Sequence, residues 1–311
     1  MNKTRHWWIL LIIALVGIVA VLLRKARHNT YQVDQPITAA PSDCRSDLRF
    51  AVIGDFGDAG QPEADVAALI HGWEVDLIVT TGDNNYTYGK ARTIDRNIGQ
   101  YFADYIYPYK GDYGPGGTEN RFFPVLGNHD WREESLQPHY DYFTLPGNER
   151  YYDFDWGPVH FFMLDSDPHE PDGRTKDSVQ AAWFEKQIGS ASAPWKLVFL
   201  HHPPYSSDSH HGSDLEMQWP FAELGVDAVF AGHAHLYERV DHEGIPYYIN
   251  GLGGRWKALP AIHHFGAPLE GSQVRYNVDY GAQLVTVDQT CLNISFYSRD
   301  GELIDSYTVM K

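Results

Sequence analysis

Metal-binding side chains recur at five places along this chain, each just after an apolar run. They are Asp55 in GDFG, Asp83 and Tyr86 in GDNNY, Asn128 and His129 in GNHD, His201 in VFLH, and His233 and His235 in GHAH. Carboxylate, amide oxygen, imidazole and phenol are the donors that hold hard and borderline cations. One carboxylate has two oxygens and can join two ions. The set is therefore large enough for a metal pair, and the chemistry such pairs perform is hydrolysis of phosphate esters.

Taken singly, most of these residues say little. An aspartate between glycines is usually a turn residue, and an asparagine after a strand is usually a cap. The information lies in the repetition: LRFAVI leads to Asp55, LIVTT to Asp83, FFPVL to Asn128, KLVFL to His201 and AVFAG to His233. Glycines beside the polar groups leave the backbone unhindered for close approach to a cation. His233 and His235, two residues apart, present both rings to one side, and the same alternation turns His202 away from His201. Tyr86 bears on which metal is expected. Phenol is a poor ligand for most divalent ions near neutral pH, whereas a hard ion such as Fe(III) favours phenolate and carboxylate oxygen. The plainer alternative is that Tyr86, one of 20 tyrosines, only packs.

From Leu48 onward short apolar runs alternate with helical stretches at Glu63 to His71, Thr93 to Tyr105 and Ser178 to Ile188. That alternation predicts strands with crossover helices and a mostly parallel start. PYYING, AQLVTV, LNISFYS and LIDSYTV alternate apolar and polar residues and read as antiparallel strands. The candidate ligands gather at the carboxyl ends of predicted strands, the rim where open α/β sheets bind ligands. Asp112 to Asn120 and Ala258 to Ser272 read as loops at the edge of that rim.

A formal net charge of -17 on 311 residues argues against nucleic acid as a partner, because that requires a basic footprint. On this reading the positive charge for a phosphate comes from metal and histidine. Residues 1–6 form a short tail and 7–23, WWILLIIALVGIVAVLL, carry no charge between basic flanks, which suits an uncleaved transmembrane anchor. Residues 24–46, broken by Pro36 and Pro41, read as a tether to a catalytic domain over 47–311. Cys44 and Cys291 are the only cysteines. Two cysteines in an exported protein often pair, which favours a membrane-anchored domain on the extracytoplasmic side.

GDFG, GDNNY, GNHD, VFLH and GHAH in this order resemble the calcineurin-like metallophosphoesterases, and Tyr86 makes the likeness closest to purple acid phosphatases. The short tether leaves no room for the extra β-domain of the large plant-type enzymes, so the small, mammalian-type single-domain form is the better match. The resemblance covers Leu48 to the C-terminus. It implies an α/β four-layer αββα sandwich with two metal ions: Fe(III) on Asp55, Tyr86 and His235, and Fe(II), Zn(II) or Mn(II) on Asn128, His201 and His233, with Asp83 bridging. His129 would contact the phosphate or protonate the leaving group. A second histidine is expected in SSDSHHGS, where His210 and His211 both stand, and Gly212 favours His211. The expected activity is an acid phosphatase acting on a small phosphomonoester. The alternatives are a Mn or Zn phosphodiesterase or nucleotide phosphohydrolase of the same fold, and a membrane-tethered binding protein without activity.

Overall fold

The computed structural model describes residues 31–33, 46–132, 135–255 and 263–311. Two sheets carry the fold. The smaller has β2 (Leu48–Ile53), β3 (Leu77–Thr80), β4 (Phe122–Phe123), β12 (Gly281–Val287), β13 (Cys291–Ser298) and β14 (Leu303–Met310), in the order β14-β13-β12-β2-β3-β4. β2, β3 and β4 are parallel, and the other pairings are antiparallel. The larger holds β1 (Tyr31–Val33), β5 (Tyr152–Trp156), β6 (Val159–Met163), β7 (Trp195–Phe199), β8 (Ala228–Ala231), β9 (Tyr237–His242), β10 (Ile245–Asn250) and β11 (Ser272–Tyr276). Its order is β1-β11-β9-β10-β8-β7-β6-β5, with β6, β7, β8 and β10 parallel. Strands buried on both faces read as unbroken apolar runs, as in LIVT of β3, where all four residues are buried.

The sheets face each other across an aromatic core. Phe50 of β2 meets Phe161 of β6 at 5.2 Å between ring centres, and Tyr237 of β9 stacks on Phe296 of β13 at 4.1 Å. Arg239 of β9 donates to buried Asp305 of β14 at 2.9 Å, and Tyr237 donates to the same carboxylate at 2.8 Å. The helix Gln61–Gly72 buries Val66 and Ile70, with Pro62 in its first turn, where a missing N–H costs nothing. The helix Val179–Ser190 starts at Ser178, whose hydroxyl accepts the Ala181 amide at 3.1 Å. Its Ala181, Phe184 and Ile188, spaced as one helical face, are buried against the outer side of the larger sheet. The expected mixed α/β sandwich of two facing sheets is thus present.

Two local readings differ. The stretch predicted as one helix over Thr93 to Tyr105 runs as Ala91–Ile94, a π-helical turn Asp95–Gly99, Gln100–Phe102 and a 3-10 turn Ala103–Tyr105. At that turn Asp95 Oδ1 accepts the hydroxyls of Tyr109 at 2.6 Å and Tyr142 at 2.8 Å. Within the segment read as a tether, Tyr31–Val33 forms an edge strand antiparallel to β11. Tyr31 packs edge-on against Tyr276 at 5.6 Å and donates to the Ile304 carbonyl at 3.0 Å, so one aromatic residue fixes a three-residue strand. The apolar run 7–23, the expected anchor, lies outside the described residues. Among the described residues no helix is long and apolar enough to cross a membrane. Cys291 is disulfide-bonded, and Cys44 lies outside the described residues.

Candidate metal centre

All seven predicted ligands converge at the carboxyl ends of the parallel strands, and they divide into two groups. In the first, the Tyr86 hydroxyl stands 2.9 Å from Asp55 Oδ1 and 3.3 Å from His235 Nε2, and that nitrogen is 3.2 Å from Asp55 Oδ1. In the second, Asn128 Oδ1 is 3.1 Å from both His201 Nε2 and His233 Nδ1, which are 3.2 Å apart. Asp83 stands between the groups: its Oδ1 is 3.4 Å from His201 Nε2, and carboxylate oxygens of Asp55 and Asp83 lie within 4.8 Å of each other and of a His201 nitrogen.

These separations fit bound cations. Ligand atoms about 2.0 to 2.2 Å from an ion stand about 3.0 to 3.5 Å from one another along the edges of its coordination polyhedron. The donor types also fit, with oxygen-rich ligands in the first group and two imidazoles with one amide oxygen in the second.

The chain holds this geometry through its backbone. Asp55, Asp83 and His233 have φ of 53°, 54° and 67°, a left-handed conformation uncommon for residues other than glycine and one that clusters at functional sites. The Asp55 carboxylate accepts the His233 amide at 2.7 Å, joining GDFG to GHAH, and Asp83 accepts the His129 amide at 2.8 Å, joining GDNNY to GNHD. Asp130 completes that junction by accepting the Gly127 amide at 2.9 Å, the Asn84 amide at 3.2 Å and the Asn85 amide at 3.1 Å. A Cβ at Gly127 would run into the Asp83 amide and carboxylate, which explains the glycine of GNHD. His201 donates from Nδ1 to the Thr81 carbonyl at 2.7 Å, so its Nε2 lone pair faces the site.

Burial pushes Asp55 up, but its His235 hydrogen bond, the charges of His201 and His235, and the His233 amide outweigh it and hold the carboxyl below the usual range. Burial, followed by the charges of Asp55 and Asp83, raises the Tyr86 phenol well above its ordinary value. The anionic surroundings that oppose a lone phenolate are those that attract a highly charged cation. His211 is pushed down to about 4, mainly by burial and then by the charge of His263.

A cavity of about 370 Å³ opens over this cluster. His129, His210 and His211 all line it, with four of the ligands. The His211 ring is 3.9 Å from that of His233, and the His210 ring is 4.3 Å from that of His211. Asp208 accepts the backbone N–H of both.

Three further lining residues, Arg132, Arg255 and His263, were not anticipated from the sequence. They correct the expectation that metal and histidine alone supply positive charge. Arg255 carried a signal, since YYINGLGGR repeats the order of strand, glycine and polar group once more. Its guanidinium lies 4.2 Å from the centre of the Tyr86 ring. His202 also departs from expectation, with its ring 4.4 Å from that of His233. β7 ends at Phe199, so strand alternation no longer governs residues 201 and 202.

An α/β sandwich with two groups of metal-binding side chains on its rim is the arrangement expected of a metallophosphoesterase. The family model described as Calcineurin-like phosphoesterase matches residues 48–237, and the chain belongs to that family. Among its relatives, Purple acid phosphatase 15 of Arabidopsis thaliana is 29% identical over 257 residues, covering 71% of this chain and 47% of that protein. Purple acid phosphatase 17 of the same plant is 27% identical over 256 residues, covering 70% of this chain and 72% of that protein. The solved structure of purple acid phosphatase PPD1 from yellow lupin seeds aligns with a TM-score of 0.68 at 18% identity, over 88% of this chain and 55% of that one. GAP50, the anchor in the inner membrane complex of Plasmodium, aligns at 0.63 and 18%, over 86% and 89%. These two structural likenesses speak to the fold.

Proposed function

We propose that this chain is a dinuclear acid phosphatase of the small single-domain type, acting on phosphomonoesters. Asp55, Tyr86 and His235 would hold Fe(III), Asn128, His201 and His233 a divalent iron, zinc or manganese, and Asp83 would bridge. The observation that carries this reading is the Tyr86 hydroxyl, aimed at Asp55 Oδ1 and His235 Nε2 instead of packing its ring into the core. A bound metal pair would stabilise the charge on the transferring phosphoryl group and lower the pKa of the attacking water.

The surrounding side chains handle position and protons. His129 donates from Nδ1 to the Thr87 carbonyl at 2.8 Å, so Nε2 faces the cavity, where it can hold a proton for the leaving oxygen. His211, beside His233, and His210 behind it line the wall that meets the phosphate. The full set of seven ligands supports activity over a purely structural role. The uncharged run 7–23 supports a membrane anchor, and the disulfide at Cys291 supports a catalytic domain on the extracytoplasmic side. The test is to purify the full-length protein in detergent, quantify its metals, and follow aryl phosphate hydrolysis against pH. Two metals per chain and an acid optimum are expected; protein with two metals and no hydrolysis at any pH would overturn the reading.

A further inference from the structure

A third group of donors stands beside the two already described and shares no residue with them. Asp208, His211 and His263 each bring a ligand atom within 4.8 Å of the other two. The His211 and His263 rings are 5.1 Å apart, close to the 5.0 Å between His201 and His233, the paired imidazoles of the second group. Asp208 and His263 are buried, whereas His211 is exposed and its ring can turn.

Two chain segments build this group. Asp208 bridges to Phe265, Gly266 donates its amide to the Ser207 carbonyl at 2.7 Å, and Ser209 donates its amide to the His264 carbonyl at 2.9 Å. Asp208 also accepts the amides of His210 at 3.2 Å and His211 at 3.0 Å, which folds the loop around its carboxylate. The His263 amide donates to the His235 carbonyl at 2.8 Å, and its carbonyl accepts Asn277 Nδ2 at 2.7 Å. Two of the three donors are thus fixed by the fold.

One contact in the group calls for a cation. His263 Nδ1 is 3.1 Å from Asp208 Oδ2 and also 3.1 Å from the His235 amide nitrogen, whose N–H points at it. A ring nitrogen offers a single in-plane position, filled either by a proton or by a lone pair. A proton there would meet the His235 N–H, and a lone pair there faces the Asp208 carboxylate. A cation held between lone pair and carboxylate removes the second conflict, and His211 completes the set. Two imidazoles and one carboxylate make up the donor set of zinc sites that keep a fourth position open, whereas magnesium and calcium take oxygen ligands.

We propose that Asp208, His211 and His263 form a separate binding site for a third, divalent ion of the zinc type, filled when zinc is in excess. The site adjoins the cavity, which His211 and His263 both line. It draws on none of the seven ligands and is independent of which ions form the pair.

The test adds excess zinc to the full-length, metal-loaded protein, removes loosely held metal by gel filtration, and counts all metal ions per chain by elemental analysis before and after. Wild type should rise from two ions to three. Asp208→Ala and His211→Ala should each stay at two, because each removes one donor of the trio and none of the pair's. His211 is exposed, so its variant keeps the fold and gives the answer where Asp208→Ala loses every ion. A wild type that stays at two, or either variant rising to three, would overturn the third site while leaving the pair. A gain of one ion that both variants lose, from a starting count below two, would support the third site and overturn the pair.

Discussion

The acid optimum proposed for this protein requires it to stay folded in acid, and His139 sets a measurable cost on doing so. This histidine lies in the short helix Gln137–Tyr142, 5% exposed, with its ring 5.0 Å from Phe143. Burial pushes its imidazole from 6.5 down to about 4, partly offset by a hydrogen bond to the Glu149 backbone. Between those two values the unfolded chain binds a proton that the folded chain does not. The contribution is therefore fully present above pH 6.5 and is lost as pH falls. At about 1.36 kcal/mol per pKa unit, the loss is about 2 kcal/mol at pH 5 and about 3 kcal/mol at pH 4. His139→Leu removes the titrating group, and any change in packing it causes is the same at both pH values. Urea unfolding of wild type and variant at pH 7 and pH 5 isolates the effect as a difference of differences, in which all other groups cancel. The variant should lose about 2 kcal/mol less than wild type between these pH values. Identical pH dependence in the two proteins would show that the imidazole is not held neutral by burial.

Two further substitutions test the division of labour in the site. Asp83→Ala removes the carboxylate that stands between both ligand groups, so metal analysis should find both ions lost; full metal content would contradict the bridging assignment. His129→Ala leaves the seven ligands in place, so metal content should persist while the turnover of phosphate esters falls by about 10²-fold or more, the usual worth of a positioned proton donor. Parallel loss of metal and rate would instead make His129 part of the metal scaffold.

Much of this site is legible in the sequence because the seven ligands fall in five short strings, each following an apolar run. LRFAVI, LIVT and AVFA are buried β-strands, and parallel pairing brings their carboxyl ends to one rim. What escapes such a reading depends on where chain segments far apart in sequence meet. Arg255 reaches Tyr86 through a loop after β10, and Asp208 and His263, 55 positions apart, meet only in the folded chain. Strand alternation does not reach His202, which lies three residues past the end of β7. Tyr31–Val33 is invisible in the sequence because three residues are too few to show a period, although one aromatic contact suffices to hold them.

The central claim is that Tyr86 is a metal ligand and that its metal is ferric iron. The visible spectrum of the purified protein tests it most directly, read alongside iron content for wild type and Tyr86→Phe. Wild-type protein should be coloured, with a broad phenolate-to-iron band, and the variant should have lost that band. A colourless wild-type protein with a filled metal pair, or a band that survives in Tyr86→Phe, would contradict it.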